Sequence, residues 1–140
     1  MPEALQPGVA QVLAARVLAR AQELGVHVSV SVADGRGHEL LTIRGDGSSW
    51  FTPGVARAKA QTAAVMRRDT ADVGRMAERF PGLLPLVSAQ LAFEPATLPG
   101  GVVEPGTDPR WALGVSGALP EQDADCARAA LPPGEAGTES

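Results

Sequence analysis

Apolar residues recur every fourth position near the start of the chain. Leu5, Val9, Leu13 and Val17 fall on one stripe of a helix, and charged and amide residues take the other side. Gly25 follows the last turn, where glycine commonly ends a helix. The pattern therefore predicts an amphipathic helix over 5–24.

The apolar positions then change to every second residue. Val26, Val28, Val30 and Val32 alternate with polar or small residues, which predicts a β-strand over 26–33. Turn residues occupy 34–37, and a second strand is expected over 38–44. The two strands are expected to pair as an antiparallel hairpin.

Two further helices are indicated by their first residues. Thr52 is expected to cap the second helix, with Pro53 in the first helical position. Alanines make one side of this helix small, so it can pack very close to a neighbour. Thr70 is expected to cap a third helix that ends at Arg79.

The second half of the chain is less regular. The segment 83–93 is ambiguous, and we expect a turn of helix followed by a short strand near 90–93. Further strands are expected around 102–103 and 110–116, and a last helix over 120–131.

The predicted order is α-β-β-α-α-β-β-β-α, which favours an α/β fold of the α+β type with an antiparallel sheet. A length of 140 residues suits a single domain, which we expect over 1–131. The segment 132–140 is rich in Pro, Gly and Glu and is expected to be a disordered tail.

Composition and charge exclude several classes of function. The net charge is −4 and the basic residues form no cluster, so a nucleic-acid partner is not expected. No apolar run approaches the roughly 20 residues of a membrane span, and the first ten residues do not resemble a signal peptide. With a single cysteine, Cys126, no internal disulfide can form. These features favour a cytoplasmic protein with no membrane partner.

Four short motifs occur in order along the chain. They are the hairpin VSVADGRGHELL over 30–41, ARAKAQTA over 56–63, PGGV over 99–102, and GVSG followed by EQD over 114–123. Together, over 5–131, they resemble the GlcG/HbpS-like family, with its A-x-x-K-A-x-T-A helix and its closing G-V-S-G-x-x-x-E-Q-D signature.

The resemblance implies a profilin-like fold, a five-stranded antiparallel sheet flanked by helices. It also implies a homo-oligomer built from dimers, and a pocket near the glycine-rich loop. Some members of the family bind heme, and the related C-terminal domain of PduO-type proteins binds corrinoids. A tetrapyrrole, either heme or a corrinoid, is therefore the expected ligand and cofactor.

The sequence departs from the family pattern near that pocket. Val103 stands where the family tends to have proline, and Ala118 and Leu119 replace Gly-Thr or Gly-Ser before the last helix. Leu119 has no side-chain oxygen with which to cap that helix.

Lys59 is the first candidate for chemistry, because it is the only lysine beside eleven arginines and lies among alanines. A partly buried ammonium needs a carboxylate or an anionic ligand. Asp123, Glu121 and Asp34 are the candidate partners. Lys59 could anchor a ligand carboxylate, act as a general acid, or form a structural ion pair between helices.

His38 follows the first turn and suits proton transfer or, as a metal ligand, ligation of heme iron. His27 lies on the polar side of the first strand and is expected to be close to His38. The spacing of the two histidines does not match a zinc site.

The remaining candidates could shape a pocket. The amides of Gly100 and Gly101 could approach a ligand carboxylate or phosphate, or the glycines could form a tight turn. Trp50 and Phe51 precede the second helix and could form a pocket wall or an oligomer contact. Cys126 is expected to be a buried, inert thiol.

Three hypotheses for function follow. The first is a small-molecule-binding protein with a tetrapyrrole ligand. The second is a cofactor-free enzyme of a specialised metabolic pathway, in which Lys59, His38 and Asp123 perform acid–base chemistry on an anionic substrate. The third is an oligomeric interaction protein without a ligand.

Overall fold

The computed structural model describes residues 5–132. The tail expected to be disordered lies, from residue 133 on, outside the described residues. Within the described range the elements are α1 Pro7–Leu24, β1 Ser29–Asp34, β2 Glu39–Arg44, α2 Thr52–Met66, α3 Thr70–Arg79, α4 Leu83–Ser88, β3 Gly101–Val103, β4 Trp111–Ser116 and α5 Pro120–Arg128. No helix in this range is long and apolar enough to cross a membrane.

The strands form one antiparallel sheet in the order β2-β1-β4-β3. The predicted hairpin is β1–β2, with Ser29 opposite Arg44. On its other side β1 pairs with β4 along its whole length, so that Ser29 lies opposite Ser116 and Asp34 opposite Trp111. The antiparallel α+β architecture is confirmed.

The sheet of the described residues has four strands, so the prediction of a fifth strand near 90–93 was wrong. The chain forms tight turns there after α4. The amides of Gln90 and Leu91 donate to the carbonyls of Val87 and Ser88 at 2.9 and 3.1 Å. Because these local bonds use the amides, they are not available for pairing with another strand.

One face of the sheet carries the main apolar core. The valines of β1 and the large residues of β4 point to this face and pack against α1 and α5, as period-2 alternation requires. The fully buried members include Val17, Val30, Val32, Leu113, Val115 and Cys126.

The opposite face is built from small residues and is covered by α2. Ser29, Ser31 and Gly114 lie on this face. A Cβ atom added to Gly114 would lie 2.1 Å from the carbonyl oxygen of Ala56, so glycine is what lets α2 approach β4 this closely. The predicted close packing of the small side of α2 is therefore confirmed, with the sheet as the neighbour.

Because α2 covers this face, the polar residues of β1 are buried and must find hydrogen-bond partners. The Ser29 hydroxyl pairs with the hydroxyls of Thr52 and Ser48 at 2.9 and 3.0 Å. Ser31 pairs with the hydroxyl of Thr42 at 2.8 Å. Ser29 and Ser31, which alternate with the valines of β1, therefore form a buried polar layer beneath α2.

The two threonines expected to be helix caps have other roles. Thr52 is the first residue of α2, and its hydroxyl donates to the Ser49 carbonyl at 2.7 Å. Thr70 is likewise the first residue of α3, after Asp69, and its hydroxyl accepts the amide of Gly101 at 2.8 Å. Each threonine joins its helix to another segment, so the capping predictions were wrong by one position.

Candidate functional site

The Lys59 side chain is buried in the middle of the fold. It leaves α2 where the helix crosses β4, and its ammonium nitrogen donates to the Val115 carbonyl at 2.8 Å and to Asp123 Oδ2 at 3.2 Å. Both side chains of this pair are 4% exposed. Asp123 is therefore the partner of Lys59 among the three acids considered from the sequence.

Asp123 also holds the turn that leads into α5. Its Oδ1 accepts the Ala118 amide at 3.0 Å, and the Gly117 amide donates to the same carboxylate. Gln122 Oε1 accepts the Leu119 amide at 3.1 Å, so Gln122 supplies a helix-start bond although Leu119 has no side-chain oxygen. In this chain Gln122 and Asp123 of the EQD motif thus stabilise the turn before α5.

Burial acts on both charges of the pair. Burial lowers the pKa of Lys59, while the charge and hydrogen bond of Asp123 oppose that effect. Burial also raises the pKa of Asp123, against the charge of Lys59 and the amides of the turn. Each group is thus the main compensation for the other's loss of water.

Gly100 and Gly101 are buried, and both lie close to Lys59. Gly100 has a φ of 129°, and an added Cβ would lie 2.7 Å from the Lys59 nitrogen. The Gly101 amide already donates to Thr70. These glycines allow close packing on α2 and α3, and the Gly101 amide has a protein partner in place of the ligand that was considered.

Asp34 and His38 lie at the far end of the sheet from Lys59. Asp34 Oδ1 accepts the amides of Arg36 and His38 at 2.9 and 3.0 Å, which shapes the hairpin turn. His38 Nδ1 is 3.5 Å from Asp34 Oδ2, and its side chain is 76% exposed.

The strand register gives the separation of the two ends. Asp34 lies opposite Trp111, whereas Lys59 binds the carbonyl of Val115, four residues further along β4. Four residues of strand span roughly 13 Å. The structure therefore brings Lys59 and Asp123 together but leaves His38 apart, and Glu121 is exposed on the first turn of α5.

Trp50 and Phe51 form an exposed aromatic pair before α2. Their rings meet edge to face with centroids 5.9 Å apart, and the residues are 79% and 53% exposed. Phe51 lines a cleft of about 460 Å³ between α2 and the segment 94–98, together with Val55, Lys59 and Leu98. We name it the α2 cleft. Its lining contains no His, Cys or Met side chain.

A second cleft lies on the other side of the molecule and was not anticipated. It has a volume of about 570 Å³ and is formed by the end of α1, the start of β1 and the end of β2. We name it the α1–hairpin cleft. Apolar residues include Leu18, Val26 and Ile43, and His27 and Arg44 are among the polar residues.

His27 and His38 are far apart, so the expectation that they lie close together was wrong. Residue 27 is seven positions before Asp34, a distance of about 23 Å along a strand. His27 instead faces the loop after β2, because Ser29 pairs with Arg44 in the hairpin. That register, read from the length of the hairpin turn, is the signal that could have located His27. Within 5–132 no group of three or more His, Cys, Asp or Glu side chains is placed to hold a metal ion.

Comparisons with known proteins agree with this architecture. A family model described as "Haem degrading protein HbpS-like" matches residues 5–132. A crystal structure of a double mutant of Streptomyces reticuli HbpS is 28% identical, with a TM-score of 0.80, covering 93% of this chain and 86% of that one.

Two further structures are similarly close. A crystal structure of PduOC in complex with heme is 29% identical, with a TM-score of 0.81, covering 92% of this chain and 94% of that one. The Klebsiella pneumoniae protein ORFY, of family DUF336, is 29% identical with a TM-score of 0.80, covering 94% and 90%. A search of curated protein sequences finds no significant match.

Proposed function

This chain belongs to the HbpS-like family, and from that premise we propose that it is a small-molecule-binding protein whose ligand is heme. The observation that carries the proposal is the presence of open clefts with apolar walls, of about 460 and 570 Å³. Clefts of this size, mostly apolar with a few polar groups, are typical of small-molecule sites. The similarity to a structure of PduOC with heme supports heme as the ligand.

The two clefts differ in what they offer to heme. The α2 cleft has apolar side chains, Phe51, Val55 and Leu98, that suit the faces of a porphyrin ring, but its lining supplies no usual iron ligand. The α1–hairpin cleft has apolar side chains such as Leu18, Val26 and Ile43 beside its polar ones, and it has one imidazole, that of His27. Both clefts therefore have apolar side chains that suit the porphyrin ring. Only the α1–hairpin cleft also has an imidazole that can bind the iron.

The acid–base hypothesis receives less support from the geometry. Lys59 and Asp123 are each about 4% exposed, so a substrate would have to displace their mutual contact. His38 lies roughly 13 Å along the sheet from this pair. A general acid or base must come within hydrogen-bond reach of the reacting group, and these three residues do not share such a position.

The experiment is a titration of the purified protein with hemin, followed in the Soret region, with iron-free protoporphyrin and cobalamin in parallel. We expect a saturable shift with one heme bound per chain. A parallel thermal denaturation series should show the midpoint rising with heme concentration, because a ligand that binds only the native state stabilises it.

The outcomes separate specific binding from adsorption. A change in absorbance that grows linearly without saturation, together with an unchanged thermal midpoint, would overturn the proposal. Saturation by cobalamin and not by hemin would move the ligand to the corrinoids.

A further inference from the structure

We propose that the α1–hairpin cleft is the heme site and that His27 supplies the protein ligand to the iron. This inference rests on the heme binding proposed above and adds its location and ligand. It differs from the expectation drawn from the sequence, in which His38 was the possible iron ligand.

The first reason is the hydrogen bond that fixes the His27 ring. Nδ1 lies 3.0 Å from the carbonyl oxygen of Asp46. A carbonyl can only accept a hydrogen bond, so Nδ1 carries the hydrogen and donates it. The neutral ring then has its lone pair on Nε2. Histidines that bind metals commonly donate their other ring N–H to a backbone carbonyl or carboxylate in this way.

The second reason is the support beneath the ring. Gly47 has a φ of 81°, and a Cβ atom added there would lie 2.9 Å from His27 Nδ1 and 3.1 Å from Cγ. Glycine at 47 therefore makes room for the imidazole and suits the left-handed backbone. The loop 45–47 thus holds the ring in two ways: the Asp46 carbonyl accepts its hydrogen bond, and Gly47, without a side chain, leaves the space that the ring occupies.

The third reason is the chemistry of the rest of the cleft. Leu18, Ala21 and Val26 give it apolar walls, and Ile43 on the edge strand is 38% exposed beside them. Arg44 also lines the cleft, and its Nε and Nη2 both donate to the Ser48 carbonyl at 3.1 and 2.9 Å. A guanidinium has further N–H groups. A porphyrin presents apolar faces and carboxylate side chains, which match these two kinds of surface.

A single imidazole also limits which metal-containing ligand the cleft can bind. A free zinc or copper ion needs three or four protein ligands, and within the described residues no such group forms. The iron of heme already has four nitrogen ligands, so one histidine is enough to hold it. His38 is less suited, since it lies at the opposite end of β1 and does not line this cleft.

The test uses two matched pairs of variants in the hemin titration. His27→Ala and His38→Ala each remove one imidazole, and Ile43→Glu and Leu40→Glu each place a charge on β2, inside and outside the cleft. We expect His27→Ala and Ile43→Glu to weaken heme binding roughly tenfold or more. His38→Ala and Leu40→Glu should bind heme as the wild type does.

Spectra of the bound form provide a second readout. The ferric spectrum of His27→Ala should lose the bands of imidazole ligation, and added imidazole should restore them. Far-UV circular dichroism of each variant confirms that it is folded, and His27 is exposed, so the substitution leaves the core intact.

The competing site is tested with Phe51→Ala and Phe80→Ala, which remove two phenylalanines of nearly equal exposure, 53% and 51%. Wild-type heme binding in His27→Ala, with a loss in Phe51→Ala, would overturn this inference and leave heme binding in place, at the α2 cleft. An altered spectrum in His38→Ala alone would also overturn it. Absence of saturable heme binding in the wild type would instead remove the proposed function itself.

Discussion

Lys59 Nζ lies 3.2 Å from Asp123 Oδ2, and this contact joins the two layers that cover opposite faces of the sheet. Lys59 comes from α2, which packs on the small-residue face, and Asp123 comes from α5, which packs with α1 on the apolar face. They meet at the end of β4, where Lys59 also binds the Val115 carbonyl. The ion pair of the lone lysine thus links the two helical layers.

The first prediction concerns how much the Lys59–Asp123 ion pair contributes to the stability of the fold. Lys59→Met leaves the Asp123 carboxylate buried without its cation, and we expect a loss of about 3–5 kcal/mol in the free energy of unfolding. Asp123→Asn should cost a similar amount. In the double variant Lys59→Met/Asp123→Asn the loss should be much smaller than the sum of the single losses, because no uncompensated charge remains. Denaturation in urea measures the free energy of unfolding of the wild type and the three variants.

The exposed pair Arg20–Asp125 is the control for this cycle. Its side chains are 36% and 39% exposed, so water compensates either charge when its partner is removed. Arg20→Met should therefore be far milder than Lys59→Met. Equal losses in these two variants, or additive losses in the double variant, would show that burial does not determine the importance of the Lys59–Asp123 contact.

The second prediction concerns the approach of α2 to β4. A Cβ at Gly114 would lie 2.1 Å from the Ala56 carbonyl oxygen and 2.6 Å from the Ala60 amide nitrogen, and backbone atoms cannot move aside cheaply. We expect Gly114→Ala to lower the free energy of unfolding by about 1–3 kcal/mol or more. Gly54→Ala, at an exposed position of α2 itself, meets no atom within 4 Å and should be neutral or stabilise by up to about 1 kcal/mol. A neutral Gly114→Ala would mean that α2 can lift from the sheet.

Much of the fold was predictable because its signals are local. The alternating valines of β1, the turn at 34–37 and the four-residue period of α1 each depend on neighbouring residues alone. The small residues on one side of α2 also correctly predicted that this helix packs closely against a neighbour. The strand expected at 90–93 failed because short apolar segments do not distinguish a strand from successive turns.

The site was less predictable because it depends on pairing across strands. The sequence named Asp123 among the partners of Lys59, but could not choose it, since the choice depends on where α5 lies against β4. The sequence also pointed to His38 as the possible iron ligand, and not to His27, which we propose in its place. What distinguishes His27 is the carbonyl of Asp46, which is nineteen residues away and meets the ring only through the register of the hairpin.

The third prediction is a dependence of stability on pH that can be traced to Asp125. The hydrogen bond from Arg20 lowers the pKa of Asp125 below its ordinary value of 3.8. A carboxyl with a lowered pKa in the folded state stabilises the fold above its unfolded pKa, and this contribution is lost as the pH falls through the folded pKa. We expect Asp125→Asn to be less stable than the wild type at pH 7, with the difference shrinking below pH 3.8. Urea denaturation at each pH measures the difference, and Asp108→Asn, on an exposed loop, is the control. A difference in stability between Asp125→Asn and the wild type that stays constant with pH would refute the prediction.

The fourth prediction concerns the thiol of Cys126. The residue is fully buried in α5, and burial raises the pKa of the thiol to about 11. Because the thiolate is the reactive form, native protein at pH 8 should react with a disulfide reagent such as Ellman's reagent far more slowly than the same protein in denaturant, where one thiol per chain should react. The rate of release of the chromophore measures both. A native rate close to the denatured one would show that α5 opens readily from the core. The expected protection also means that copies of the native chain are not joined through Cys126, so a reductant should leave the oligomeric state of the protein unchanged.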